Sequence, residues 1–294
     1  MSDQRKKIVL AALFLVAFMA AIEGTIVTTA MPTIIGDLHG VKVMNWVFSI
    51  YLLTTAMSTP LYGKLAERLG RKKAFYLGIF LFLLGSFLSG VSSSMSFLII
   101  ARAIQGFGAG SMFPLSMIII IDLFEIEKRA KLLGASGGIW GIAGLLGPFL
   151  GGVIVQYLSW HWIFFVNLPI GCLAFFMINL GLKEEAPAHK GKPMDFLGAI
   201  VLMFLVLSFM LSIQLIGDGG LGLATLIIFM IFLFTSFLFV KVERKACDPI
   251  VHLELFKNKN FMIYNVISFI LNGFLTAVDV YIPMWLQVID GRSE

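Results

Sequence analysis

A chain of 294 residues that is 59% hydrophobic, 13% charged and of mean hydropathy +0.95 is not an ordinary soluble domain, where charge is nearer ~25%. The 51 residues between Lys131 and Lys183 contain no Asp, Glu, Lys or Arg, more than twice the ~20 that one membrane-crossing helix needs. The composition is that of an all-α polytopic membrane protein whose first partner is the lipid bilayer, and the net charge of +5 is then a matter of topology and no argument for nucleic acid.

Charge gaps and turn residues predict nine spans, near residues 8–35, 46–65, 74–91, 97–123, 131–157, 163–182, 196–216, 221–242 and 261–287. The first follows Arg5, Lys6 and Lys7 and is too long for the apolar core of a signal peptide. Between spans two and three lies GKLAERLGRKKAF, residues 63–75, with Lys64, Arg68, Arg71, Lys72 and Lys73 and one acid, Glu67, around Gly63 and Gly70. A short basic loop between two membrane-length apolar runs reads as a cytoplasmic connection. If the N-terminus is also cytoplasmic, the inside segments further hold Lys128, Arg129, Lys131, Lys183, Lys190, Lys192, Lys241, Arg244, Lys245, Lys257 and Lys259. Nineteen of the 22 cations then lie inside, with Lys42 and Arg292 outside and Arg102 within a span. The expectation is a multi-pass protein of the plasma membrane, its N-terminus inside and its C-terminus outside.

Residues 1–182 are expected to form an N-terminal six-helix bundle and residues 183–195, with Pro187, Gly191 and Pro193, a cytoplasmic linker. Residues 196–242 read as two additional helices, nearly all Leu, Ile, Phe and Met around Gly217-Asp218-Gly219-Gly220; such a hairpin can face lipid and needs no functional role. Residues 243–294 read as a cytoplasmic loop and the first helix of a further bundle. Cys172 falls in an apolar span and Cys247 in a charged loop, which suggests no disulfide framework.

Four places carry chemistry. Glu23, in IEGTIVTTAMP, sits near mid-membrane in span one, at ~1.5 Å per residue, where an ionisable group is costly unless it meets water or a partner. It is a candidate proton site, or the acceptor of a structural hydrogen bond from span four. Arg102, in RAIQGFGAGSMFP of span four, keeps its charge and must be paired or hydrated. It reads as a coupling residue or as a brace, with Gln105 on the same face. Gly106, Gly108 and Gly110 invite close helix approach, and Pro114 a kink. Span five carries Gly137, Gly141, Gly144, Pro148 and Gly151 at spacings of 4, 3, 4 and 3, one helical stripe that serves either passive packing or a contact with two arrangements. Span nine adds Asp279, a second acid, placed in the membrane or near its outer interface. His39, His161, His189 and His252 fall in loops, and neither a phosphate-binding loop nor a metal-ligand or nucleophile cluster is evident. No cofactor, metal or catalytic role is expected, and the chain does not read as an enzyme.

Five motifs together resemble a known family. GKLAERLGRKKAF is similar to the signature of the major facilitator superfamily between spans two and three, and RAIQGFGAG to its span-four motif. GLLGPFLGG, with Gly144, Gly147, Pro148, Gly151 and Gly152, resembles the span-five motif of its exporters. EGTIVTTAMPTI and WHWIFFVNLPIG narrow the resemblance to its 14-span drug:proton antiporters, with His161 where that family usually has Arg and Glu67 where many members have Asp. The resemblance implies alternating access between two six-helix bundles, the two additional helices lying between them. It implies proton-linked or gating roles for Glu23, Arg102 and the residue 63–75 loop, and five helices beyond YIPMWLQVIDGRS. The implied function is export of amphipathic, cationic drugs in exchange for protons. The alternatives are an exporter dedicated to one metabolite or antibiotic, and a truncated fragment that does not transport. The oligomeric state is not legible.

Overall fold

The protein, seen in a computed structural model, is described at residues 2–182 and 195–290, the side chains of residues 196, 218, 219 and 275–290 excepted. Every regular element among them is helical: α1 (Asp3–Leu38), α2 (Met44–Leu69), α3 (Arg71–Gly90), α4 (Met95–Ala109), α5 (Met112–Leu123), α6 (Ile126–Tyr157), α7 (Trp162–Phe165), α8 (Asn167–Gly181), α9 (Phe196–Gly219), α10 (Leu223–Glu243) and α11 (Lys259–Asp290). Seven stretches among the described residues are long and apolar enough to cross a membrane: α1, α3, α4 with α5, α6, α7 with α8, and, trimmed at their ends, α9 and α10. The molecule is a multi-pass helical membrane protein. α2 is less apolar because it carries Thr54, Thr55, Ser58 and Thr59, whose hydroxyls each donate to a backbone carbonyl a turn earlier in the same helix. This satisfies them where lipid offers no partner.

Two predicted spans are broken rather than continuous. The fourth divides between α4 and α5 at Gly110 and Ser111. Pro114 has no N–H to give the carbonyl four residues back, and that carbonyl, of Gly110, accepts from Thr59 Oγ1 at 3.3 Å instead. The sixth divides at Val166, just ahead of Pro169. The expected loop at residues 63–75 is shorter than its charge suggests. α2 continues through Lys64, Glu67 and Arg68 to Leu69, and only Gly70 turns the chain, with φ 89°, a backbone that a side chain would strain. Gly63 therefore lies inside a helix and not at a turn.

α1 is the central strut, packed on α6 along one flank and α8 along another, while α2, α3 and α4 pack on one another beside it. Small residues set the spacing. A Cβ on Gly106 would lie 2.3 Å from the Tyr51 carbonyl of α2, and one on Gly108 would lie 2.2 Å from the Phe82 nitrogen of α3. Backbones approach in this way only across glycine. One apolar cluster gathers Leu13, Val16, Tyr62, Phe75, Phe82 and Met112; a second gathers Ile26, Ile34, Leu98, Trp160 and Phe164. At the far end of α1, Trp160 Nε1 donates to Asp37 Oδ2 at 2.7 Å.

The expected stripe of span five divides in two. Among the described residues a Cβ at Gly137, Gly141, Gly144 or Gly152 would meet nothing within 4 Å, whereas Gly147 and Gly151 press on Thr25, Ile26 and Thr29 of α1. α6 crosses α1 along only part of its length, so one periodicity serves two surroundings. α9 and α10 pair as a hairpin, but the hairpin does not simply face lipid, because α9 also packs along α2. Among the described residues α11 packs on the short turn at Leu253–Lys257 before it. The linker at residues 183–194 lies outside the described residues, as does the side chain of Asp279, which stands on α11.

Candidate functional site

The two apolar clusters are parted by a buried polar layer to which α1, α2, α3, α4, α7 and α8 all contribute. Glu23 and Gln105 are 0% exposed and Arg102 and Asn167 1%. Arg102 Nη1 donates to Glu23 Oε1 and, at 2.7 Å, to Gln105 Oε1; its Nε donates to the Val47 carbonyl at 3.2 Å. The guanidinium lies over the Tyr51 ring, 4.1 Å from the centroid, a placement that suits its planar, delocalised charge. The second carboxylate oxygen, Glu23 Oε2, accepts from Asn167 Nδ2 at 2.7 Å. Asn167 Nδ2 also reaches Ser86 Oγ at 3.0 Å, which accepts from Gln105 Nε2 at 3.3 Å and donates to the Phe164 carbonyl at 2.8 Å. Asn167 Oδ1 is buried and has no hydrogen-bond partner among the described residues.

Local sequence explains this assembly. Arg102 and Gln105 share a face of α4 by their spacing of three. Asn167 opens α8 directly after the break at Val166. The sequence-predicted residues Glu23, Arg102 and Gln105 are thus brought together. Asn167 and Ser86 were not anticipated, although Asn167 is an uncharged polar residue within an apolar span, in WHWIFFVNLPIG, and that was the available signal.

A second charged layer lies at the end of the bundle where α2 meets α3. Lys64, 5% exposed at its side chain, contacts Asp248 Oδ1 at 2.7 Å and the Pro249 carbonyl at 3.1 Å, and Arg68 Nη2 contacts Asp248 Oδ2 at 2.9 Å. Glu67, half exposed, stands 3.4 Å from Lys64. Across Gly70, Arg71 Nε pairs with Asp122 Oδ2 of α5 at 2.5 Å. The Lys64 ammonium and then the Arg68 guanidinium hold the Asp248 carboxyl down at about 2, against the opposing effect of its burial. The predicted Glu67, Arg68, Gly70 and Arg71 therefore gather here, but their strongest acidic partners, Asp122 and Asp248, come from elsewhere in the chain. Gly63, inside α2, would present a Cβ to open space.

Comparison with known proteins extends beyond these motifs. Multidrug resistance protein 3 of Bacillus subtilis is 38% identical over 290 residues, which cover 98% of this chain and 56% of that protein. Multidrug transporter protein MdtP of the same organism is 37% identical over 299 residues, covering 99% of this chain and 54% of its own length. The chain thus spans a little over half the length of these relatives. Among solved structures, the human organic anion transporter MFSD10 (TETRAN) superposes with a TM-score of 0.54 at 19% identity over 70% of this chain and 55% of that one, a likeness of fold. The model of the Major Facilitator Superfamily matches residues 13–293, from the first turns of α1 past the end of α11. A match of that extent takes in the buried layer, the charged turn and the hairpin alike, and on it the chain belongs to the Major Facilitator Superfamily.

Proposed function

We propose that the protein is a proton-coupled secondary transporter of the plasma membrane that exports amphipathic, cationic drugs, with its N-terminus and the α2–α3 turn on the cytoplasmic side. The names of the two Bacillus subtilis relatives support the drug class. The orientation is supported by the clustering of cations at one end, where Lys6 also lies over the Phe124 ring at the close of α5, as the positive-inside rule requires.

One observation carries the mechanism. Glu23 has no exposure, and each of its oxygens already holds a partner, Arg102 on one and Asn167 on the other. A proton or a cationic substrate that binds Glu23 must therefore displace a partner. Neutralising the carboxylate leaves Arg102 buried with Gln105, the Val47 carbonyl and the Tyr51 face, and removes the attraction that draws α4 to α1. Proton and cationic drug then compete for one carboxylate, which is the chemical requirement of exchange. Asp279 on α11 is a proposed second acid of the same pathway, and the open glycine face of α6 at Gly137, Gly141 and Gly144 a proposed sliding contact between bundles.

The test is ethidium efflux from proteoliposomes under an imposed proton gradient, using the complete gene product. Glu23→Gln is expected to lose proton-driven efflux by more than tenfold; equal efflux from variant and wild type would remove Glu23 from the mechanism.

A further inference from the structure

The α9–α10 hairpin has no role in the scheme above, yet its far end is fastened to the charged turn. Glu243, which closes α10 and is 3% exposed, accepts from the Val251 amide and so fixes the course of residues 243–251. Within that course Asp248, 8% exposed, receives both Lys64 and Arg68, and the Pro249 carbonyl takes a further hydrogen bond from Lys64. At the start of the hairpin Asp195 caps α9 by accepting from the Gly198 amide at 2.8 Å, and α9 packs along α2. The cationic end of α2 is thus gripped from the hairpin side by one carboxylate with both oxygens in use. The acid on its own helix, Glu67, is half exposed and farther from Lys64.

We propose that Asp248 is a positioning residue of the inner gate: it holds Lys64 and Arg68 in place, so that the two additional helices move with α2 when the gate works. This rests on the reading of the protein as an alternating-access exporter. Two charge-assisted contacts to one nearly buried carboxylate resist exchange with water far better than the contact of Lys64 with the half-exposed Glu67. Asp248 remains ionised throughout the physiological range, so the catch holds while α2 moves and no proton releases it. Proton sensing stays with the Glu23 layer.

Cys247, exposed and adjacent to Asp248, gives a readout that does not depend on transport. In the complete gene product with Cys247 as its only thiol, inside-out vesicles are treated with a membrane-impermeant maleimide, and ethidium binding and turnover are measured in parallel. Asp248→Asn is expected to raise the Cys247 labelling rate at least threefold and to lower turnover at least fivefold, with apparent ethidium affinity within twofold of wild type. Asp248→Glu should recover a large part of both, which separates a lost contact from a lost fold. Unchanged labelling overturns the proposal, and so does faster labelling with unchanged turnover. Faster labelling in a protein whose wild type does not move ethidium overturns the exporter reading and leaves the catch standing.

Discussion

The buried layer makes a quantitative prediction through a double-mutant cycle of Arg102→Met and Glu23→Gln. Arg102→Met removes hydrogen bonds to Glu23, Gln105 and the Val47 carbonyl together with the stacking on Tyr51. It leaves the Glu23 carboxylate with Asn167 alone. Stranding a buried charge in this way costs about 3–5 kcal/mol. Glu23→Gln is milder. The Gln carbonyl still accepts from Arg102, and an amide flip of Asn167 would turn its unpartnered Oδ1 towards the new amide donor. What is lost is the counter-charge: Arg102 keeps its hydrogen bonds but stands buried and uncompensated, a cost at the lower end of about 3–5 kcal/mol. In the double variant no charge is stranded, so the pair should be less costly than the sum. The coupling should exceed about 1.7 kcal/mol, the upper end for ordinary interhelical hydrogen bonds within membranes. Unfolding of the purified protein in mixed micelles by a graded denaturing detergent, with tryptophan fluorescence as the probe, measures all four corners. Additivity within about 0.5 kcal/mol would refute the claim that these two side chains form one buried unit.

Two further predictions use the same stability assay. Gly106→Ala should cost about 1–3 kcal/mol, because its Cβ meets the Tyr51 carbonyl; Gly152→Ala, whose Cβ meets nothing within 4 Å among the described residues, should cost nothing and gain up to about 1 kcal/mol in helix propensity, and equal effects at the two would contradict the division of glycines between packed and open faces. The Asp248 carboxyl is held at about 2, below its ordinary 3.8, so its contribution is present above the ordinary value and fades as pH falls towards the lower one; the stability that Asp248→Asn loses relative to wild type should therefore be constant from pH 5 to pH 8 and shrink only below about pH 4, whereas a step near neutral pH would assign the catch to a different group.

Much of the fold was legible because lipid permits so little else. A charge gap longer than a membrane is thick forces a helix, and an ionisable residue within one demands a partner, which is how Glu23 and Arg102 stood out. Less legible was where helices end. A charge gap marks where a span leaves the apolar layer, whereas α2 continues through Lys64, Glu67 and Arg68 until Gly70 turns it. The partners were the least legible, since they are tertiary facts. Asn167 meets Glu23 across 144 residues and Asp248 meets Lys64 across 184, and no local period connects such positions. For Asp248 one weak signal existed, an acid beside Pro249 in a segment that charge had already assigned to the same side as the basic turn.

The glycines of α6 tie the two faces of α1 together. Gly147 and Gly151 admit α1 so closely that Thr25, two residues after Glu23, places its Oγ1 3.3 Å from the Ala143 carbonyl of α6 and also bonds the Ile22 carbonyl in its own helix. Glu23 itself holds α4 and α8 through Arg102 and Asn167. Within one turn, α1 therefore carries the ionisable group on one face and the tight glycine contact on another. Any rotation of α1 that separates Glu23 from Arg102 must also shift Thr25 against α6, because the short Thr25 side chain, set against Ala143 and Gly147, cannot absorb the motion. A change of charge at Glu23 thus has a rigid route to α6, whose open glycine face at Gly137, Gly141 and Gly144 lies farther along the same helix. On the proposed exchange mechanism, this is how a proton taken up at the buried layer is felt at the proposed sliding contact.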